Sequence, residues 1–253
     1  MFDYLFNKYK PDMVLATDMQ DLRVQELCDT SLVREAKRRG IYSMGMGRSW
    51  DSMTTKGLLR TLPTKLVVQS VSIKDQAVRY HSVDSEQIVV TGTLHYDKYV
   101  LDERTSRETF FRELGFDPSK KLILLTIPSD IWTGNASLSH YLLNIFSQLN
   151  DQIIVRFPLF GKVDIGDFKP AQTMVFDNPY NSDRLEESRL SISDDDHLAD
   201  LIYHSDVVVT GPSSIILDAS IFNKPIVLIG FDGEEARPYG QSMARYYDYE
   251  HHY

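Results

Sequence analysis

Short apolar runs that alternate with helical patterns constrain the fold of this chain more than any other feature. In the first half the runs are "PDMVLAT", "IYSMGMG", "KLVVQS" and "QIVVTG". Between the first two lies "SLVREAKRRG", which starts with Ser, places basic residues in its last turn and ends in Gly, as a helix does. An alternation of buried strand and helix predicts a parallel sheet with crossover helices.

The same alternation restarts after a charge-rich interruption. The segment "HYDKYVLDERTSRETFFRELGFDPSKK" has no strand-like run, and after it come "KLILLTI", "QIIVRFP", "TMVFDN", "DVVVTG" and "PIVLIGF". We therefore expect an α/β protein with two Rossmann-like parallel-sheet domains that face a cleft. The predicted boundaries are 1–97 for the first domain, 98–121 for an inter-domain connection and 122–253 for the second domain.

Composition narrows the class of partner. The 27 basic and 36 acidic side chains give a net charge of −9, which argues against broad nucleic-acid binding but leaves room for a phosphate ligand in a local pocket. The single Cys28 provides neither an intramolecular disulfide nor a cysteine zinc site.

With no apolar run near the roughly 20 residues of a membrane span and no signal-peptide pattern, we expect a cytoplasmic protein. Peripheral association with the inner face of the cell membrane stays open.

The stretch "DVVVTGPSSIILDAS" predicts a ligand site, because parallel sheets bind ligands beyond the carboxyl ends of their strands. Gly211 allows a close backbone approach, and Ser213 and Ser214 place hydroxyls beside the amides of a helix start, which favours phosphate. Asp218 lies one turn after Ser214 on the same helical face, where it is predicted to bind a ribose diol. Ordinary capping by Ser and Pro at a helix start is the alternative interpretation.

Polar loops at other strand ends carry further candidates. In "GRSWDSMTTKG", Arg48 is predicted to hold a phosphate or carboxylate and Asp51 to act as general base; the alternative is that the two pair with each other. Arg156 is predicted to stabilise charge on the leaving phosphate. The acidic run "SDDDHLAD" is interpreted as a helix cap and not as a metal site. Sugar or glycerol contacts, with a solvated turn as the alternative, are predicted for Asp232, Glu234 and Arg237.

The region "HLADLIYHSDVVVTGPSSIILDASIFNKPIVLIGFDGEEARPY" resembles the donor-binding half of GT-B glycosyltransferase-fold enzymes. It is similar to the CDP-glycerol glycerophosphotransferase (teichoic-acid polymerase) and UDP-N-acetylglucosamine 2-epimerase-like branches. The turn Thr210–Ser214, the helical acid Asp218, the pair Lys224-Pro225 and the closing Asp232 match the Thr-Asp-Tyr-Ser-Ser, Asp, Lys-Pro and Asp pattern of the teichoic-acid enzymes. The segment "IVVTG" is similar to the one that closes the amino-terminal domain of the superfamily.

This resemblance implies a GT-B transferase, incomplete at both ends, that binds a UDP- or CDP-linked nucleotide-diphosphate donor in its second domain. It further implies transfer of a glycosyl or glycerophosphoryl group to a surface-polysaccharide or polyol acceptor, with no cofactor and no metal. In GT-B relatives the loop before the helix that contains His197 reaches the nucleotide base, so His197 is expected to border the ligand.

Two departures from the family patterns affect the choice of reaction. Where the teichoic-acid enzymes read Arg-Pro-His-Pro, this chain has Arg156 and Pro158 without a histidine. The epimerases use a Glu and a His where this chain has Gly45 and "TIPS", which argues against epimerisation because that reaction needs acid and base groups. A UDP-sugar 2-epimerase-like isomerase and a non-catalytic nucleotide-sugar-binding protein remain the alternatives to a transferase.

Overall fold

The computed structural model of the protein describes residues 2–19, 28–47, 49–101, 103–130, 136–159, 161, 163–179, 192–234 and 236–247. The chain forms two compact units, Met1–Leu94 and His95–Tyr253. The division therefore falls after Leu94 rather than after residue 97. The whole segment predicted as a connection between domains, 98–121, lies inside the second unit.

The first unit contains one parallel sheet with the strand order β1-β2-β3-β4. Its strands are β1 (Met13–Ala16), β2 (Tyr42–Met46), β3 (Lys65–Val68) and β4 (Ile88–Val90). Its helices in the described ranges are α1 (Phe2–Tyr9), α2 (Cys28–Arg38), α3 (Ser52–Thr55) and α4 (Val71–His81). Each predicted apolar run became a strand. Burial alternates along β1, where Val14 and Ala16 are buried and Met13 and Leu15 are exposed.

The second unit contains a five-stranded parallel sheet with the order β7-β6-β5-β8-β9. Its strands are β5 (Leu122–Thr126), β6 (Gln152–Arg156), β7 (Met174–Asp177), β8 (Val207–Thr210) and β9 (Ile226–Leu228). Its described helices are α5 (Asp97–Leu101), α6 (Arg107–Leu114), α7 (Ala136–Phe146), α8 (Ile192–His204) and α9 (Ile215–Ile221). The chain runs outward from β5 to β7 and then returns to build β8 and β9 on the other side.

Alternate residues of β5 enter two different hydrophobic clusters, as the two faces of a strand require. Leu124 belongs to a cluster that includes residues of α6, α8 and α9, whereas Leu125 belongs to one that includes residues of α7. Phe110 and Phe111 of α6 lie in the first cluster, and Phe111 is fully buried. Truncating such a side chain costs about 3–5 kcal/mol, so α6 is part of the core of the second unit.

Candidate functional site

The strand order of the second unit reverses between β5 and β8. From β5 the chain continues to β6 on one side, and from β8 it continues to β9 on the other. Loops that leave adjacent strands in opposite directions open a crevice at the carboxyl edge of a parallel sheet. The Thr126 hydroxyl donates to Oγ1 of Thr210 at 2.6 Å, and that of Thr210 donates to the Gly211 carbonyl at 3.1 Å. This buried chain of hydrogen bonds joins the two strand ends.

The loop Gly211–Ser214 follows β8 and precedes α9. Ser214 has helical backbone angles and makes no side-chain capping bond, while Ser213 Oγ accepts only a long bond of 3.4 Å from the Ile215 amide. The alternative interpretation, in which Ser213 and Ser214 only cap the helix, therefore receives little support from these contacts. Because α9 has only seven residues, however, its end supplies less of the dipole than we expected from the sequence.

Gly211 is approached by a side chain from the end of the described chain. A Cβ atom added at Gly211 would lie 3.1 Å from Cε of Met243. Asp232 holds the segment that contains Met243. The Met243 amide donates to Oδ1 of Asp232 at 2.6 Å, and the Arg237 amide donates to Oδ2 at 3.4 Å. Burial would raise the pKa of Asp232, but these backbone bonds outweigh it and the pKa is lowered.

The carboxylate of Asp232 thus positions the segment that covers Gly211. Contact of Asp232 with a sugar or glycerol group stays a prediction, as it does for the exposed Glu234 and the half-buried Arg237.

Asp218 is buried, with 5% of the residue exposed. Burial raises its pKa to about 7; the charge of Asp195 adds to this shift, and a hydrogen bond with Tyr99 opposes it. Nε2 of His95 lies 3.9 Å from Oδ1 of Asp218. The carboxyl group therefore faces the segment just after Leu94. Ribose binding by Asp218 stays a prediction, because a ribose would have to reach the carboxyl group past the rings of His95 and Tyr99.

The segment after Leu94 is tied to the start of α8 by charge. Nδ1 of His95 lies 3.6 Å from Oδ2 of Asp195. Lys98 forms an ion pair with Asp195 and a second one, at 2.9 Å, with Asp196. The acidic run thus lies in the first turns of α8, as expected from its interpretation as a helix cap, and it also binds a lysine. Sequence reasoning did not include His95 or Tyr99, although the polar "HYDKY" directly after a strand end was a usable signal.

Arg156 and His197, two of the predicted donor contacts, are brought together by a third residue. Arg156 ends β6 and Asp177 ends β7, and the two are partners in the sheet register. Their side chains form an ion pair, and Nε2 of His197 lies 3.0 Å from Oδ1 of the same carboxylate. Burial would raise the pKa of Asp177, but the bond with His197 and the charge of Arg156 outweigh it and the pKa is lowered.

Asp177 was absent from the sequence-based candidates. It is the acid that ends the apolar run "TMVFD", and a charged residue at the carboxyl end of a buried strand was the signal that could have found it.

In the first unit, Asp51 lies just before α3. The Thr55 hydroxyl donates to its Oδ2 at 2.6 Å, and Lys56 Nζ lies 3.9 Å from its Oδ1. Burial would raise the pKa of Asp51, but hydrogen bonds with Ser49 and Thr55 outweigh it and the pKa is lowered. A lowered pKa makes a weaker base, so a general-base role for Asp51 stays a prediction. Arg48, predicted as its neighbour in the acceptor site, lies outside the described residues.

The described ranges contain neither a metal-binding cluster nor a membrane-spanning helix. No group of three or more His, Cys, Asp or Glu side chains there is arranged to hold a metal ion. None of the described helices combines the length and apolar character needed to cross a membrane.

A family model and a curated relative match parts of this chain. A model of the family CDP-Glycerol:Poly(glycerophosphate) glycerophosphotransferase matches residues 171–253. Over 195 residues the chain is 25% identical to a teichoic acid poly(ribitol-phosphate) polymerase of Bacillus spizizenii, an alignment that covers 74% of this chain and 29% of the relative.

Solved structures resemble the whole described fold. The UDP-GlcNAc 2-epimerase of Methanocaldococcus jannaschii aligns with a TM-score of 0.56 and 13% identity over 92% of this chain and 65% of the epimerase. A 2-epimerase homologue from Listeria monocytogenes aligns with a TM-score of 0.57 and 12% identity over 90% and 59%. The chain thus spans less than two thirds of these relatives. Its two parallel-sheet units and these matches show a fold of the GT-B type.

Proposed function

We propose that this chain takes part in transferring a glycosyl or glycerophosphoryl group from a nucleotide-diphosphate donor. The observation that carries the proposal is the reversal of strand order between β5 and β8, a point at which open parallel sheets bind nucleotides. The match to the glycerophosphotransferase family supports it, because residues 171–253 include β7, β8, β9 and the loops that follow them. A UDP- or CDP-linked donor and a polysaccharide or polyol acceptor fit this chemistry.

The donor diphosphate is proposed to lie against the loop after β8. Gly211 carries no side chain, and Ser213 and Ser214 supply hydroxyls at its far end. The chemical work of such a site is to stabilise the negative charge that develops on the leaving phosphate, which hydrogen-bond donors in fixed positions accomplish. The bond between Thr126 and Thr210 supports this role, because it fixes the strand end from which the loop starts.

Asp218 is the proposed partner of the donor ribose. Its pKa of about 7 leaves it a mixture of acid and carboxylate near neutral pH. A carboxyl group in this range can donate to one ribose hydroxyl or accept from it, so it does not need to be fully ionised to bind a diol. Activation of the acceptor hydroxyl is assigned to Asp51 of the first unit, with Arg48 as its predicted anion-binding neighbour, as the sequence predicts.

An isomerase is the second candidate function, and the fold relatives named as UDP-GlcNAc 2-epimerases motivate it. At 12–13% identity these relatives show only that the fold is shared. The positions at which a resembling epimerase would have its Glu and His are here Gly45 and the segment 126–129, which offer no equivalent acid or base. Product analysis with a bound donor distinguishes transfer, epimerisation and binding without turnover. Association with a membrane surface is proposed only as a consequence of a polymer acceptor.

A ligand panel tests the proposal directly. The melting temperature of the full chain is measured with UDP, CDP, GDP, UDP-N-acetylglucosamine and CDP-glycerol, because a ligand that binds only the folded state raises it by mass action. Ser214→Ala is expected to remove most of the shift. Ser220→Ala, on the exposed face of α9, is the matched control and should keep it. Absence of any shift across the panel, or a full shift in Ser214→Ala, contradicts the proposed site.

A further inference from the structure

We propose that Arg156 and His197, held on the two oxygens of Asp177, form an anion clamp for the diphosphate of the donor. We call these three residues the Asp177 clamp. The inference rests on the proposed function for the identity of its ligand, but the clamp itself is argued from contacts within the second unit.

Arg156 provides the first sign of a missing ligand. Its side chain is 4% exposed, and its Nη1 is used in the ion pair with Asp177. Its Nη2 is buried and has no hydrogen-bond partner among the residues that the structure describes. A buried guanidinium N–H without an acceptor is costly, and charged groups of this kind are normally paired. An anionic oxygen is the acceptor that this group fits best, because Arg binds phosphate through two parallel N–H donors.

His197 provides the second donor. Nε2 lies 3.0 Å from Oδ1 of Asp177, so Nδ1 is the ring nitrogen left for a ligand. The side chain is 44% exposed, which allows a ligand to reach it. Asp177 acts as a positioning residue, since a carboxylate on one ring nitrogen fixes the orientation of the other. When the ring carries both of its protons, Nδ1 can donate to an anion.

The charge of the clamp comes from Arg156. Its positive charge faces the one negative charge of Asp177, and burial of the Arg156 side chain limits the screening of that charge. On α8 itself the acidic neighbours of the ring are Asp194 and Asp200, three residues before and after it. Asp200 is already paired with Arg104 at 3.3 Å. Arg156 thus places a buried positive charge at this sheet edge, in a chain whose net charge is −9.

The clamp lies beside the strand reversal. Arg156 is the register partner of Thr126, whose hydroxyl bonds Thr210 on the other side. Adjacent strands are about 4.8 Å apart, which places the end of β6 within about 10 Å of the end of β8. A diphosphate that starts at Gly211 needs to extend along the sheet edge by only this distance to reach Arg156. The position of the clamp thus fits the second phosphate of a nucleotide diphosphate or an inorganic pyrophosphate.

Calorimetric titration separates these ligands. The full chain is titrated with inorganic pyrophosphate, CDP, UDP, cytidine and uridine, and the same series is repeated on His197→Gln and Arg156→Lys. Gln at 197 can still donate to Asp177 but has no second ring nitrogen for the ligand. We expect it to weaken binding of pyrophosphate and of the nucleoside diphosphates about tenfold, as loss of a charge-assisted hydrogen bond does, and to leave nucleoside binding unchanged. Arg156→Lys keeps the charge but loses the second donor, and a similar loss is expected.

His140→Gln makes the same chemical change on α7, where the ring packs against Gly166, and is expected to bind every ligand like the parent. Unchanged diphosphate affinity in both His197→Gln and Arg156→Lys overturns the clamp while the proposed function stands. Binding of pyrophosphate that depends on His197, without binding of either nucleotide, supports the clamp and overturns the proposed function. Failure of the parent protein to bind any of these anions overturns both.

Discussion

The imidazole of His95 lies between two carboxyl groups: its Nε2 is 3.9 Å from Asp218, and its Nδ1 is 3.6 Å from Asp195. The two acids belong to different helices, α9 and α8, and their side chains are only 8% and 15% exposed. The charge of Asp195 contributes to the raised pKa of Asp218, and the His95 ring lies within 4 Å of both acids. One side chain from the segment after Leu94 therefore joins the two helices that follow β7 and β8.

The raised pKa of Asp218 predicts a pH-dependent stability. With a pKa of about 7 in the folded state against 3.8 for an ordinary Asp, the folded state holds more protons than the unfolded state in this interval. The stabilising contribution of the protonated acid is therefore complete below about pH 4 and is lost as the pH rises to about 7. Asp218→Asn stays neutral at all pH values. We expect its stability relative to the parent to increase by about 2–3 kcal/mol between pH 5 and pH 8.

Hydrogen exchange of peptides from β8 and α9 in urea measures this difference in the second unit alone. Carboxylates with a lowered pKa, such as Asp177 and Asp206, change the stability below about pH 4 and not in this interval. His204 is buried and its pKa is lowered, but it affects parent and variant equally. Parallel stability curves for Asp218→Asn and the parent from pH 5 to 8 would contradict a raised pKa.

The hydrogen bond between Thr126 and Thr210 predicts a coupled pair of substitutions. Both side chains are buried, so Thr210→Val leaves the Thr126 hydroxyl without its acceptor and should cost about 1–3 kcal/mol. Replacing both hydroxyls by methyl groups of the same shape removes the unsatisfied donor. The double variant Thr126→Val/Thr210→Val is thus expected to lose clearly less than the sum of the two single variants. Urea denaturation of the four proteins measures the coupling, and additive losses would show that the two hydroxyls do not interact.

The strands could be predicted from the sequence, because residues such as Leu124 and Val208 are buried between helices and the chain there is continuously apolar. The segment 98–121, predicted as a connection between domains, was predicted less well, because it belongs to the second unit. The pattern "SRETFFREL" predicts a helix. Because most of its residues are charged or polar, the pattern does not indicate that Phe110 and Phe111 lie in the core of the second unit. Contacts between distant residues lie beyond a local pattern: nothing in the turn before Asp218 indicates that its carboxyl faces a residue that precedes it by more than a hundred positions. For the same reason Asp177 was missed, although both of its partners were candidates.

The attachment of α6 to the second unit depends on Asp206. Its carboxylate accepts from Arg107 at 3.0 Å, from Lys121 at 2.8 Å and from the Leu122 amide at 2.9 Å. Asp206→Ala removes the acceptor of all three hydrogen bonds and is expected to cost about 2 kcal/mol. Glu113→Ala, on the exposed side of the same helix, should change the stability by less than about 0.5 kcal/mol. Urea denaturation followed by hydrogen exchange of α6 checks both values. A stability of Asp206→Ala equal to that of the parent would contradict a role for this carboxylate in holding α6.

The close packing at Gly211 separates a role in binding from a role in folding. A methyl group at this position would meet Cε of Met243 at 3.1 Å, the end of a flexible side chain that can move by a few tenths of an ångström. The backbone of Gly211 is not in the left-handed region, so alanine is tolerated there without backbone strain. We therefore expect Gly211→Ala to cost no more than about 1 kcal/mol of stability.

If the donor diphosphate lies against the backbone of Gly211, the added methyl group occupies the position of the diphosphate and should lower nucleotide affinity at least fivefold. Gly240→Ala is the matched control, since a Cβ there meets nothing within 4 Å. Calorimetric titration with the nucleotide that stabilises the parent measures the affinity, and parent-like binding by Gly211→Ala would place the diphosphate elsewhere on the sheet edge.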